Sequence, residues 1–456
     1  MSHSTGPIKR RETGISKPIL MAEIVVAAAA FLIMCLFILL RSPQLMEPDD
    51  YAYRASIIAL SQGHVLLTNV QYLSLKTQLS ARGGPGIEQW VRLRSGMWIS
   101  QKNPGYPFFA VIFQWLHALR AAPLFYGAMG CSGLFYGSRK WLGIWGGVYA
   151  VALYCFSGAA LIFAWRPTMP TFTDASLIAG AAGILLGVLL SRDDPPKRRF
   201  LLGALAFLAL DGATLIRYTD VIVLLVALAA VTALARASRL RRSTLLGWLT
   251  IALAFGAGDL VINHVLYGGV FTTGYRSGLV TFRSSAVAPN LERMPIRLIE
   301  SMPMAILALA SVVWIAVRAM SNGSGALSSA RARRDVVVSL VIGAGWLSVW
   351  ALYSAYTWTV DQTIGPGNPI HVVRFYVPVI GLISLLGAWL LKRLPGWVSV
   401  ALIAVLVGFA LWSYVTPSND IIVGRAPLST PATRKLAPAR VTDLPRPAGT
   451  VALPVS

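Results

Sequence analysis

Long apolar segments separated by short polar ones recur along nearly the whole chain. Each is close to the ~20 apolar residues that a helix needs to cross roughly 30 Å of hydrocarbon. The pattern predicts an all-α polytopic membrane protein with about 11 to 12 transmembrane helices. The predicted spans are 19–40, 104–120, 122–138, 142–164, 174–191, 200–216, 219–235, 244–265, 301–319, 335–355, 373–391 and 397–416.

The composition agrees with this class of protein. Hydrophobic residues make up 56% of the 456 residues and charged residues only 13%, and the mean hydropathy is +0.64. A soluble globular protein is not that apolar. The first span follows Lys9, Arg10, Arg11 and Lys17 and lacks a small-residue cleavage site, so we expect it to be an uncleaved anchor.

The formal net charge of +22 comes largely from basic residues in short loops between alternate spans. This is the positive-inside pattern of membrane proteins, and it argues against a nucleic-acid-binding surface, where the charge would form one patch. The basic clusters on the predicted cytoplasmic side are Arg139-Lys140, Arg192 with Lys197–Arg199, Arg236–Arg242, Arg331–Arg334 and Lys392-Arg393. The predicted outer face then carries the loops 42–103, 165–173, 266–300 and 356–372.

This topology divides the chain into three parts. A basic cytoplasmic N-terminus covers residues 1–18, a transmembrane domain covers 19–416, and a Pro-rich outer tail covers 417–456. The first outer loop, 42–103, is expected to contain interfacial helices. Two apolar segments separate this loop from the inner cluster at Arg139, although an odd number of crossings is required there. One of the two is therefore expected to be re-entrant or interfacial.

Cysteine and histidine form no recognisable ligand pattern. The three cysteines, Cys35, Cys131 and Cys155, all fall within apolar spans, which predicts neither a disulfide framework nor a metal site. No histidine spacing matches a zinc motif, and no Gly-rich phosphate loop is present. The sequence therefore gives no firm indication of a cofactor.

Two adjacent carboxylates directly follow the first span, in the segment Glu47–Tyr51, which reads E-P-D-D-Y. Pro48 suits the first turn of a helix, where Asp49 and Asp50 would meet the positive end of the helix dipole. A helix that starts on the membrane surface explains these acids without any chemistry. The alternative is that Asp49, or with less support Asp50, abstracts a proton from a substrate held at the membrane surface.

The segment Lys102–Pro107, K-N-P-G-Y-P, closes the same outer loop and leads into the next apolar segment. One explanation is that Pro and Gly mark the start of a helix and that Lys102 reaches towards lipid head groups. Beside the Asp pair, Lys102 could also neutralise a phosphate. Ionisable groups recur where other spans emerge, and at such depths they need partners or a polar cavity. The predicted substrate- or phosphate-binding residues are Lys102, Tyr106, Arg166, Asp174, Arg217, Tyr275, His371 and Arg374.

These motifs, in this order, resemble those of membrane glycosyltransferases of the GT-C fold, which use polyprenyl-phosphate sugars. The resemblance covers most of residues 19–391. The acidic pair after the first span carries it, together with Lys102–Pro107, which resembles a helix start in aminoarabinose transferases. Asp174 resembles the family's second outer acid, and the segment 371–376, H-V-V-R-F-Y, resembles its late Arg-Tyr motif. Protein O-mannosyltransferases differ, because Asn103-Pro104-Gly105 stands where they have His-Pro-Pro.

The resemblance implies an inverting reaction on the outer face of the membrane. Asp49 would act as general base on an acceptor hydroxyl, which attacks a sugar carried on polyprenyl phosphate, while Lys102, Arg217 and Arg374 hold the phosphate. The helix dipole and nearby cations would weaken Asp49 as a base, whereas burial and Asp50 would strengthen it. A divalent ion on the two acids is an alternative, but the lack of an Asp-x-Asp arrangement favours metal independence.

A transporter or flippase for an anionic lipid-linked substrate is the alternative function, since it could use the same basic cavity without chemistry. The long loop 42–103 favours the transferase, because it can build a lid over a substrate, and no internal repeat supports a transporter. The expected partners are the bilayer, a polyprenyl-phosphate sugar donor, and a glycan, lipid or protein acceptor. The composition suggests a bacterium, and the predicted location is its inner membrane with the active site facing the periplasm.

Overall fold

The computed structural model describes residues 17–40, 48–81, 86–191, 194–275, 281–321, 330–363 and 373–415. Within these residues the chain is mostly helical. The helices are α1 (Lys17–Leu39), α2 (Pro48–Ser61), α3 (Asn69–Ser80), α4 (Gly105–Trp115), α5 (Ala121–Leu142), α6 (Ile144–Cys155), α7 (Gly158–Trp165), α8 (Thr171–Leu190), α9 (Pro196–Ile216), α10 (Val221–Leu234), α11 (Arg242–Tyr267), α12 (Val287–Ser301), α13 (Ala305–Ser321), α14 (Ala330–Ser354), α15 (Thr357–Thr363), α16 (Ile380–Leu391) and α17 (Gly396–Val415). Strands β1 (Trp90–Arg92) and β2 (Trp98–Ser100) form an antiparallel hairpin.

Several described helices are suited to a bilayer. By length and composition, α8, α9, α11 and α14 can each cross a membrane. The bent pairs α6–α7, at 59°, and α12–α13, at 113°, raise the number to six if each pair forms one span. The apolar helices α1, α10, α16 and α17 are shorter. The polytopic helical class is confirmed, while the total of 11 to 12 crossings stays a prediction.

Two predicted spans differ from the helices that form. The segment 104–120 contains only the 11 residues of α4, which is about 17 Å long and too short to cross the hydrocarbon layer. The continuous span predicted at 142–164 is broken between α6 and α7. Ser157 causes this break, because its hydroxyl accepts the Ala160 N–H at 3.1 Å and so caps a new helix start.

Close packing of small residues fixes the centre of the bundle. Helices α5 and α8 approach so closely that a Cβ on Gly133 would lie 2.4 Å from the Gly180 carbonyl oxygen. Small residues at such contacts let membrane helices approach each other. All residues of α16 are buried, and α8 is largely buried as well. The first turn of α8, which carries Asp174, is thereby held in a fixed place.

The segment between α1 and α4 has its own small core. Helices α2 and α3 and the hairpin pack together, with Tyr72 stacked on Trp98 at a centroid distance of 4.0 Å. Thr68 begins α3 with a capping box, in which Thr68 and Gln71 bond each other's backbone N–H. This core is formed by Ala55, Ala59, Leu67, Tyr72, Leu75, Leu79, Ile87 and Trp90. It ties the middle and the C-terminal part of α2 to the hairpin.

Candidate active site

Asp49 lies in the first turn of α2, and each of its carboxylate oxygens faces a cation. The Lys102 ammonium is 2.8 Å from Asp49 Oδ1, and the Arg374 guanidinium is 3.1 Å from Oδ2. All three residues are buried, so solvent and salt screen these ion pairs only weakly. The pairs join the start of α2, the segment after the hairpin and the segment before α16.

Tyr275 completes the surroundings of Lys102. The ammonium donates a hydrogen bond to the Tyr275 hydroxyl at 3.1 Å, and the Lys102 N–H donates to Ser100 Oγ at 3.1 Å. Burial lowers the pKa of Lys102, but the Asp49 carboxylate more than offsets this, so that the pKa of Lys102 is raised overall. Lys102 is therefore protonated over the physiological pH range.

The start of α4 is docked on the end of α9. Asn103 Nδ2 donates to the Ile216 carbonyl at 3.1 Å. A Cβ on Gly105 would lie 2.5 Å from the Leu215 carbonyl carbon, so only glycine permits this approach. Pro104 and Gly105 thus mark the start of α4, as predicted. The docking of this helix start on α9 also holds Lys102 beside Asp49.

Asp50 has different partners from Asp49, although it is the next residue. Its carboxylate forms an ion pair with the Arg166 guanidinium and accepts the Thr168 hydroxyl at 2.7 Å. Asp50 and Arg166 are both fully buried. The sequence predicted Asp50 as an alternative base and Arg166 as a substrate contact. Their pairing joins α2 to the connection between α7 and α8, and the two roles stay predictions.

Tyr106 is likewise buried behind the site. Its hydroxyl donates to the Pro167 carbonyl, and its ring packs edge-on against Tyr53 at a centroid distance of 5.8 Å. Tyr106 thus packs behind Tyr53, which lines the cavity, and the substrate contact by Tyr106 stays a prediction.

Arg217 follows the last residue of α9 and links two other predicted residues. Its Nε is 3.3 Å from Asp174 Oδ2, and its Nη1 donates to the Arg374 carbonyl at 3.2 Å. Asp174 is fully buried. Within the described parts of the chain, no three His, Cys, Asp or Glu side chains are grouped to hold a metal ion.

These side chains surround a cavity of about 200 Å³. Four predicted residues line it, namely Asp49, Arg217, Tyr275 and Arg374. Lys102 contacts two of them, and Asp174 lies behind Arg217 as its counter-ion. Asp50 and Arg166 pair with each other outside this lining, and Tyr106 contacts the lining through Tyr53. His371 lies outside the described residues.

Aromatic side chains that the sequence analysis did not single out form much of the cavity wall. The Arg374 guanidinium lies 5.0 Å from the ring centroid of Trp358 and 4.9 Å from that of Phe375, within cation–π range. Tyr353 and Tyr356 also line the cavity. The sequence feature that could have indicated them is the run of aromatic residues at the predicted outer end of span 335–355. Trp and Tyr are common at such membrane boundaries.

Glu88 is a further acid near Asp49 that the sequence did not reveal. It is half-buried, and its pKa is raised, first by burial and then by the Asp49 charge. It stands alone in the polar loop before β1, so no sequence motif marked it.

The helical architecture and this charged cavity define a polytopic membrane protein of the GT-C fold, as the sequence resemblance predicted. No protein-family model matches the sequence, and no curated protein matches it. The likeness is to solved structures, and it is a likeness of fold.

ArnT from Cupriavidus metallidurans, solved bound to undecaprenyl phosphate, matches with a TM-score of 0.50 and 16% sequence identity. The match covers 88% of this chain and 65% of that one. The archaeal oligosaccharyltransferase AglB from Archaeoglobus fulgidus, in complex with an inhibitory peptide and a dolichol-phosphate, matches with a TM-score of 0.51 and 11% identity. This match covers 90% of this chain and 56% of the AglB chain. The chain thus spans less than two thirds of the length of either protein.

Proposed function

We propose that this protein is a membrane glycosyltransferase that moves a sugar from a polyprenyl-phosphate carrier to an acceptor hydroxyl. One observation carries the proposal: a carboxylate, Asp49, lines the cavity with Lys102, Arg217 and Arg374 around it. ArnT and AglB, which share the fold, were solved with undecaprenyl phosphate and dolichol-phosphate. A lipid-linked phosphate matches the positive charge of this cavity.

The reaction needs one base and a set of cations. Asp49 accepts the proton of the acceptor hydroxyl as its oxygen attacks the anomeric carbon. The bond from that carbon to the phosphate oxygen breaks on the opposite side, so the configuration inverts. Lys102, Arg217 and Arg374 hold the departing phosphate, which is a stable anion and needs no acid to protonate it.

Donor binding also makes Asp49 a stronger base in this proposal. Lys102 and Arg374 stabilise the charged carboxylate and thus lower its affinity for a proton. A phosphate drawn to the same two cations shares them with Asp49 and weakens that stabilisation. The cations that weaken Asp49 as a base in the free enzyme would thus weaken it less once the donor phosphate is bound.

The finer topology belongs to the same proposal. The positive-inside distribution supports a cytoplasmic N-terminus at 1–18, a transmembrane domain at 19–416 and an outer tail at 417–456. Because α4 is too short to cross, about eleven crossings fit the chain better than twelve. The active site then faces the periplasm of a bacterial inner membrane.

The test is sugar transfer from a labelled polyprenyl-phosphate sugar by purified wild type and Asp49→Asn. We expect the variant to lose transfer by about 10²- to 10⁴-fold, the usual contribution of a general base, while it still binds the lipid phosphate. Asp335→Asn makes the same exchange in an ion pair with Arg393, 2.8 Å apart and outside the cavity, and should transfer normally.

Two results would contradict the proposal in different ways. Normal transfer by Asp49→Asn would remove Asp49 as the base. If wild type in vesicles moves the intact lipid between leaflets and transfers no sugar to any acceptor, the protein is a transporter or flippase.

A further inference from the structure

We propose that Phe282 binds the ring of the transferred sugar by stacking on its apolar face. Phe282 then helps to determine which sugars are accepted, because it favours pyranoses with an uninterrupted face of C–H groups. This role rests on the proposed transferase function. It adds a contact for the sugar to the base and the phosphate-binding cations of the same cavity.

Phe282 shares the cavity with the charged residues of the proposed site. It belongs to the same lining as Asp49 and Arg374. Phe282 is 37% exposed, which makes it the most exposed aromatic residue of this lining. Tyr353 and Tyr356, which also line the cavity, are only 3% and 6% exposed. A molecule in the cavity can therefore cover more of Phe282 than of these two tyrosines.

Backbone hydrogen bonds fix Phe282 against the segment that follows α14. Phe282 and Tyr356 pair in an isolated antiparallel bridge. Beside it, the Thr357 N–H donates to the Thr281 carbonyl at 3.1 Å, and the hydroxyls of these two threonines are hydrogen-bonded at 2.6 Å. Asn290 of α12 donates to the Tyr356 carbonyl at 3.1 Å. None of these bonds involves the side chain of Phe282, so another apolar residue at this position keeps them.

The Phe282 ring is supported by other rings. It stacks on Tyr356, with the centroids 5.1 Å apart and the planes 28° from parallel, and it lies 6.0 Å from Tyr353. The face of an aromatic ring is electron-rich and attracts the weakly positive hydrogens of C–H groups. A pyranose presents such hydrogens on its face, while its hydroxyls point outwards from the ring and can still form hydrogen bonds. Aromatic stacking on Phe282 therefore suits a sugar ring.

This aromatic wall is continuous from a phosphate-binding cation to Phe282. The Arg374 guanidinium lies 4.9 Å from the centroid of the Phe375 ring. The Phe375 ring lies 5.1 Å from that of Tyr356, and Tyr356 in turn stacks on Phe282. A phosphate held by Arg374 thus places the neighbouring group of the donor along this wall.

The neighbouring group along this wall is the sugar and not the lipid chain. The phosphate of the donor joins the two, so they leave it on different sides. The chain has to run towards the apolar helices. Phe282 and Tyr356 lie instead in segments 266–300 and 356–372, the predicted outer loops, and Tyr356 comes directly after the end of α14. The sugar is the part of the donor that reaches these loops.

The experiment measures binding of lipids to the purified protein in nanodiscs. The probes are bare undecaprenyl phosphate and undecaprenyl phosphate carrying glucose, galactose or mannose, epimers that differ in the C–H groups on each face. We expect wild type to bind at least one of the sugar-carrying lipids more tightly than the bare lipid. Phe282→Leu should weaken binding of that donor by about three- to tenfold, the loss expected for one aromatic stacking contact. Its affinity for the bare lipid should not change.

Two further variants serve as controls. Phe282→Tyr keeps the ring and should bind each lipid as wild type does. Phe271 is 86% exposed and lies outside the cavity lining, so Phe271→Leu should change neither affinity. In the transfer assay, Phe282→Leu should raise the KM for the donor and leave the KM for the acceptor unchanged, because the ring contacts only the donor sugar.

Several outcomes would overturn the proposal. Equal weakening of the bare lipid in Phe282→Leu would place the ring on the lipid chain, and a change confined to the KM for the acceptor would place it on the acceptor. Unchanged binding in Phe282→Leu, or a wild type that binds none of the three sugar-carrying lipids more tightly than the bare lipid, would remove the sugar contact. Failure of the proposed function gives a different result, namely a wild type that binds the sugar donor and transfers no sugar.

Discussion

Asp49 and Asp50 are adjacent in the chain but differ in what they can do. Asp49 lines the cavity beside two cations that belong to the proposed site. Asp50 is fully buried against Arg166, and a buried ion pair mainly holds its two elements together. The sequence could predict that the acids begin a helix, because Pro48 and the helix dipole favour that. It could not assign their roles, because the partners Arg166 and Arg374 both lie far from the two acids in the sequence.

Breaking the Asp50–Arg166 pair should destabilise the protein strongly. In Asp50→Asn the Arg166 charge stays buried without its counter-charge, which typically costs about 3 to 5 kcal/mol. Thermal or denaturant unfolding of the purified protein in detergent measures the change.

A surface pair provides the comparison for this prediction. Arg297 and Glu300 are 3.5 Å apart, with side chains 39% and 28% exposed, so Glu300→Gln should cost less than about 1 kcal/mol. The double variant Asp50→Leu with Arg166→Met should recover much of the lost stability, because no charge is then left unpaired. An Asp50→Asn protein as stable as Glu300→Gln would contradict the structural role of the buried pair.

Helix α4 positions Lys102 through the contact of its first turn with α9. Gly105→Ala places a methyl group against the Leu215 and Ile216 backbone, and backbone cannot move aside as a side chain can. We expect a loss of about 1 to 3 kcal/mol from this overpacking. Transfer activity should fall as well, because the added methyl group would displace the Asn103–Ile216 hydrogen bond next to Lys102.

Gly256→Ala in α11 makes the same chemical change without a contact. A Cβ at Gly256 meets nothing within 4 Å, so alanine should be neutral or stabilise the helix by up to about 1 kcal/mol. Circular dichroism melting and the transfer assay measure both variants. Equal stability and equal transfer activity of the two variants would show that α4 is not closely packed on α9.

The helices that the sequence predicted well are those with a local signal. The starts of α2 and α4 are marked by Pro48 and by Pro104-Gly105, and both helices begin there. The break between α6 and α7 was missed because Ser157 lies inside a continuous apolar run, where hydropathy alone cannot reveal a cap. The hairpin was missed because its two strands have only three residues each, and their pairing depends on packing against α2.

The cavity is assembled from parts that are remote in sequence. Lys102 meets Tyr275, which is 173 positions away, and Arg217 meets the Arg374 backbone, 157 positions away. Membrane topology could predict that these residues share a face, because each lies in a predicted outer loop or at an outer end of a predicted span. It could not predict which cation pairs with which acid, because that depends on helix packing such as the contact between α5 and α8.

The orientation of the whole bundle also limits where the site can lie. About 15 residues of apolar helical structure, Val377–Leu391, separate the cavity residue Arg374 from the predicted inner cluster at Lys392. At 1.5 Å per residue this is roughly 23 Å, less than the roughly 30 Å of a hydrocarbon core. The proposed topology, with Lys392 at the inner boundary, would place Arg374 near the outer boundary of the bilayer, at a depth that a lipid-linked phosphate can reach.

Single-cysteine labelling tests this orientation. With Cys35, Cys131 and Cys155 replaced by alanine, a cysteine is placed either at Ser95 in the hairpin turn or at Lys392, both of which are exposed. A membrane-impermeant maleimide applied to spheroplasts should label Ser95→Cys, because the hairpin belongs to the predicted outer face. Lys392→Cys should react only after the membrane is disrupted. Labelling of both positions at the same rate before disruption, or of Lys392→Cys alone, would contradict the proposed topology and remove the argument that the cavity opens to the periplasm.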